Sequence, residues 1–225
     1  MGLKEPGLRG SLRNVSVGID AIPDIVVDDF ESGDLTHWSG ETDKYVVDDS
    51  DPVKEGTFSC KNIGDDDGNV YIGSAEGKDG VPQVGIPHRI YIHPGTSGNS
   101  ITTVFFGSDT IDDRGTGYGV RLSSDANEVR LERWDDGSVT VLGTDSSIGT
   151  IDDSWFEVII LHEENGDFTV WVFDESGTER TDDGLIENDS TYITDGTYDN
   201  SIVTLEDGRG EGDAFDDWRY TKAPE

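Results

Sequence analysis

Residues 155–174, WFEVIILHEENGDFTVWVFD, constrain the fold more than any other stretch: they read as two strands joined by a tight turn. The limbs are Trp155–His162 and Phe168–Asp174, rich in the β-branched and aromatic residues that suit a pleated, packed surface. Between them Asn165-Gly166 is a dipeptide that tolerates positive φ at both central turn positions. Alternation is incomplete. Phe156, Val158 and Ile160 share one parity, while Trp155, Ile159 and Leu161 share the other. A strand apolar on both faces lies between two layers or beneath a cover, so the hairpin belongs inside a sheet and not at its edge.

The rest of the chain repeats this hairpin rhythm. In Glu128–Trp134, Val129 and Leu131 alternate with Glu128, Arg130 and Glu132, a half-buried strand, and Asp136-Gly137 turns it into Val139–Leu142. No segment carries a helix of several turns. A dozen short strands with turn signals every 8–12 residues predict an all-β, antiparallel β-sandwich or jelly roll over residues 25–225. Residues 1–24 differ. Gly2, Gly7, Gly10, Gly18, Pro6 and Pro23 argue against a helix, and Lys4, Arg9 and Arg13 oppose only Glu5 up to Ile19. Leu8, Leu12, Val15, Val17, Ile19 and Ile22 are too many apolar residues for a solvated tail. Together with Arg9 and Arg13 they predict an extended arm that docks on a neighbouring acidic subunit.

Charge narrows the partners. Asp and Glu number 49 against 16 Lys and Arg, for a formal net charge of −33, with acids spread along the chain's loops and not gathered in one tail. Such self-repulsion destabilises a compact state in dilute salt and is screened at molar salt, where the Debye length is about 3 Å. The pattern resembles proteins of extreme halophiles. Without a basic stripe the chain should bind no nucleic acid, and anionic membrane surfaces are disfavoured. No run approaches 18 apolar residues, so no membrane insertion is expected. The N-terminus lacks an apolar h-region, which predicts synthesis in the host cytoplasm without a signal peptide. Cys60 is alone, so no internal disulfide forms.

Four segments carry a family resemblance. VVDDFESGDLTHWSG, YGVRLSSDANEVRLERWDDGSVTVL, SWFEVIILHEENGDFTVWVFDESG and AFDDWRY together resemble the concanavalin A-like, laminin-G-type jelly roll over residues 25–221. The arm, GLRGSLRNVSVGIDAIPD, resembles the start of structural proteins of haloarchaeal tailed viruses. The resemblance implies a fold shared by lectins, glycan-binding modules, glycosidases and virion decorations, among which fold alone does not choose. Catalytic members carry Glu-x-Asp-x-x-Glu on one strand. Here Glu211-Gly-Asp213 continues to Asp216, not Glu, so no enzyme is expected. Jelly rolls of this kind often tie their first and last strands with a calcium ion. Asp29, Glu31 and Asp217, with the loop at Glu55-Gly56, would supply hard oxygen ligands.

A glycan-binding face needs aromatic stacking beside planar hydrogen-bonding groups. Trp134 with Arg133, Asp135 and Asp136, and Trp171 with His162, are the candidates. Either indole could instead fill the core. We expect that for Trp171, while Trp134 stays open between the two. His88 and His93 read as surface residues. The expected role is a virion surface component of a haloarchaeal virus, from a turret, spike or tail, contacting other virion proteins, copies of itself and a host surface glycan. The competing classes are a lectin-like carbohydrate-binding module and, behind it, a glycoside hydrolase.

Overall fold

A computed structural model of the chain describes residues 26–36, 38–63, 72–74, 84–95, 101–106, 116–151, 153–192, 205–207, 213–221 and 223–224. The expected arm, residues 1–24, lies outside the described residues. Fifteen strands follow in order: β1 (Val26–Asp28), β2 (Trp38–Gly40), β3 (Tyr45–Asp48), β4 (Ser59–Asn62), β5 (Ile72–Ser74), β6 (His88–His93), β7 (Ile101–Phe106) and β8 (Gly117–Ser123). Then come β9 (Glu128–Asp135), β10 (Ser138–Asp145), β11 (Phe156–His162), β12 (Asp167–Phe173), β13 (Leu185–Asn188), β14 (Leu205–Asp207) and β15 (Ala214–Tyr220). The one helical piece among the described residues is a 3-10 turn at Thr42–Lys44.

Two antiparallel sheets form the sandwich. One is eight-stranded in the order β13-β12-β11-β6-β15-β4-β3, with β1 also paired to β15. The other is five-stranded in the order β10-β9-β8-β7-β14, and β2 and β5 form a separate pair. The 155–174 hairpin lies inside the large sheet as β11 and β12. Its turn differs from the expectation. Only Gly166 takes positive φ (89°), and Glu163 N donates to Asp167 O across a longer loop. The Asp136-Gly137 turn does match, with φ of 47° and 79° at its two central positions.

The core lies where the inner parities meet. Ile90, Ile92, Phe156, Val158, Ile160, Phe168, Val170 and Val172 face Tyr118, Val120, Leu122, Val129 and Leu131 of the smaller sheet, all buried. Phe215 and Trp218 close it from β15. They are three residues apart because β15 carries one extra residue between Asp216 and Arg219. Such a bulge leaves two residues of one strand opposite a single partner position and shifts the side-chain alternation by one.

Candidate functional site

The outer parity of the eight-stranded sheet carries the candidate site. Directly opposed residues of an antiparallel pair share a face. Trp171 therefore sits beside Ile159, Ile159 beside Arg89, and Arg89 beside Arg219. Phe168, Val170 and Val172 go into the core, so Trp171 cannot. This corrects the expectation of a core Trp171. Trp38, Trp134, Trp155 and Trp218 are 7% exposed or less, whereas Trp171 is only half-buried. A Cβ at Gly184 would come within 3.0 Å of Trp171 Nε1 and 2.8 Å of Thr169 Cγ2, so glycine, at φ +85°, lets the turn approach the indole edge. Ile186, opposite Thr169, is 63% exposed and extends the apolar surface.

Two strand spacings along the row, roughly 10 Å, the surface becomes polar. Arg89 Nη1 donates to Tyr91 Oη at 2.8 Å and to Glu157 Oε1 at 3.2 Å, and Nη2 donates to Asp217 Oδ2 at 2.5 Å. Lys54 Nζ stands 5.4 Å from the Tyr91 ring centroid and the Arg89 guanidinium 4.9 Å from it. Burial, and then the Glu157 charge, push the Tyr91 hydroxyl pKa upward. Arg89 and Glu157 stay partly accessible, at 21% and 24% side-chain exposure.

Beyond Tyr91 the loop of residues 54–58 crosses this face. Asp216 Oδ2 accepts from the main-chain N–H groups of Lys54 and Glu55, both at 2.9 Å. Glu31 Oε1 accepts from Thr57 N at 2.8 Å and Phe58 N at 2.9 Å, which lowers its pKa. A Cβ at Gly56 would lie 2.4 Å from Glu31 Oε1, so the contact requires glycine. Of the four residues expected around a calcium ion, Glu31 and Gly56 lie in contact, while Asp29 and Asp217 are engaged elsewhere. Asp29 caps its own turn by accepting from Glu31 N. The β15 bulge gives Asp217 to Arg89 and Arg219 and leaves Asp216 to meet the loop. Among the described residues no three metal-ligating side chains converge. A cation nevertheless suits Asp216. Its Oδ1 is buried without a hydrogen-bond partner, and burial, with Glu31 and Glu55 nearby, raises its pKa to about 6.

The residues read as glycan-binding from the sequence are divided between two faces and the core. Arg133 and Trp134 are adjacent on a strand, so period-2 alternation sends them to opposite sides. Arg133 donates to Asp135, Asp189 and Thr191, and Asp189 also accepts from Tyr118 Oη at 2.7 Å. This network binds the 189–192 segment to the smaller sheet. Trp134 lies on the outer parity of that sheet with Glu132 and Arg130, 4% exposed and outside the core cluster. Asp136 occupies its turn. His162 is 4% exposed and stacks on Phe168 at 3.8 Å, so it is placed in the interior and away from Trp171. His88 and His93 are likewise buried and not at the surface: His88 shares the inner parity of Ile90 and Ile92, and His93 packs edge-on against Trp155. Arg89, Tyr91 and Glu157 escaped the sequence reading. Their signal was parity, since each alternates with core residues of β6 or β11.

Comparison with family models gives no match, and comparison with curated proteins gives none either. Among solved structures the chain is similar to the carbohydrate-binding module CBM66 from Bacillus subtilis, at 15% identity and a TM-score of 0.54, over 83% of this chain and 96% of that one. Chicken galectin 2 (10% identity, TM-score 0.39, 62% and 88% covered) and the ligand-binding domain of botulinum neurotoxin serotype D (12%, 0.41, 80% and 43%) are more distant. The first likeness defines the class of fold, a jelly-roll β-sandwich.

Proposed function

We propose that this chain is a non-catalytic carbohydrate-binding module whose ligand lies along the Trp171–Ile159–Arg89 row. The carrying observation is Trp171: the one indole that is only half-buried, on the outer face of the sheet, roughly 10 Å along the row from an arginine–carboxylate pair. Aromatic faces stack on the apolar side of a sugar ring, and placed polar groups fix its orientation. The similar solved structure is itself a carbohydrate-binding module. A hydrolase would need a carboxylic acid poised at the ligand. Glu157 and Asp217 are tied to Arg89, and Asp216 is covered by the 54–58 loop. Trp171→Ala should weaken binding to an immobilised polysaccharide at least tenfold in 3 M KCl, consistent with losing about 1.5–3 kcal/mol of apolar burial and stacking. Trp134→Phe should leave it unchanged. Equal binding by wild type and the Trp171 variant would end this reading.

Within the same proposal, Glu31 and Asp216, the latter through its unpartnered Oδ1, would hold a calcium ion beside the 54–58 loop. The ion would supply positive charge where two carboxylates meet. Calcium at about a hundredfold over its Kd should raise the melting temperature of chelator-treated protein by roughly 5–10 °C. Asp216→Asn should abolish that response and, without calcium, be more stable than wild type at pH 7, because a buried charge is gone. A calcium-insensitive melting temperature in wild type would remove the ion from the account.

A further inference from the structure

We infer that the ligand of this face is an uncharged glycan, recognised through its hydroxyl groups, and that Glu157 sets this preference. The inference rests on the carbohydrate-binding reading and narrows it. A sugar acid is usually held by the two-pronged guanidinium of an arginine. Arg89 is the arginine of the Trp171 row, its terminal nitrogens bound to Glu157, Asp217 and Tyr91, and Arg219 beside it is paired with Asp217 through Nε and Nη2. The Lys54 ammonium is drawn over the Tyr91 ring. Around these cations stand Glu157, Asp217, Asp216 and, on the crossing loop, Glu55.

A ligand carboxylate or sulfate about 5 Å from Glu157 would lose roughly two orders of magnitude in affinity to like-charge repulsion at a surface-like dielectric. Hydroxyl groups gain from the same surroundings. The exposed carboxylate accepts from them, and hydrogen bonds to a charged acceptor are the stronger kind. The apolar part of this face, the half-buried Trp171 and the exposed Ile186, with buried Ile159 between Trp171 and Arg89, offers nothing to a charge.

The test is a binding panel with full-length protein at 0.5 M and 3 M KCl. The neutral probes are a β-glucan, a mannan and a galactan; the acidic probes are polygalacturonate, alginate and dextran sulfate. At least one neutral polymer should bind, with affinity changing less than about threefold between the two salts, since no net charge is brought together. The acidic polymers should bind at least 100-fold more weakly even in 3 M KCl, where long-range repulsion from the −33 body is screened. Glu157→Gln, verified as folded by its melting temperature, should weaken the neutral ligand about tenfold and narrow the gap to polygalacturonate. An acidic polymer binding as tightly as any neutral one would overturn the inference and leave the carbohydrate reading standing. Binding of neither kind would overturn both.

Discussion

Lowering the pH from 7 to 5 should cost the fold about 4 kcal/mol through His88 and His162 together. Both imidazoles are buried, at 3% and 4% exposure. Burial holds each pKa down to about 3, and His162 further disfavours charge on His88. His88 Nδ1 accepts from Trp218 Nε1 at 3.0 Å, so it serves the core as a neutral acceptor. The sign follows from linkage. Below 6.5 the unfolded chain takes up a proton at each histidine that the native state refuses, and stability falls continuously toward pH 3. His93, also lowered by burial, acts in the same direction. Asp216 acts oppositely in metal-free protein. Its raised pKa, about 6, makes the native state bind a proton first, returning about 1 kcal/mol over the same interval. Urea titrations at the two pH values measure the difference. His162→Phe, which keeps a ring stacked on Phe168, should remove about half of the histidine loss. A variant with the wild-type pH dependence would refute this account.

Raising KCl from 0.1 M to 3 M should lift the melting temperature by about 10 °C or more. Exposed acids stand in runs, such as Glu163-Glu164 and Asp182-Asp183, with no cation beside them in sequence. Screening relieves their repulsion. It subtracts little from Arg133–Asp189 or Arg89–Asp217, whose acids are 9% and 1% exposed. A melting temperature that is flat or falling with salt would show that the carboxylates are not the destabilising term.

The sandwich was legible wherever alternation was clean. The two limbs of the 155–174 hairpin and the Asp136-Gly137 turn follow from local patterns and stand in the structure. The site was less legible, because a tryptophan in an apolar strand carries no mark of which face it takes. Trp171 was assigned to the core on the general tendency of indoles to be buried, although its parity against Phe168, Val170 and Val172 pointed outward. His162 was drawn to the surface by its polarity, although it shares the parity of Phe156, Val158 and Ile160. Counting parity outward from the most apolar set would have placed both. Asp216 could not be found this way, since nothing in AFDDWRY announces an inserted residue.

That insertion reaches beyond its own strand. Because β15 gains a residue after Asp216, the rule of every second side chain restarts in mid-strand. Aligning this segment with an unbulged homologue without a gap would exchange inside for outside from there to the C-terminus. Deleting Asp217 should restore the alternation, leaving Trp218 opposite Ile90 on the inner face while removing the carboxylate that Arg89 and Arg219 share. A single extra residue in β15 thus decides which carboxylate meets the arginines and which meets the crossing loop.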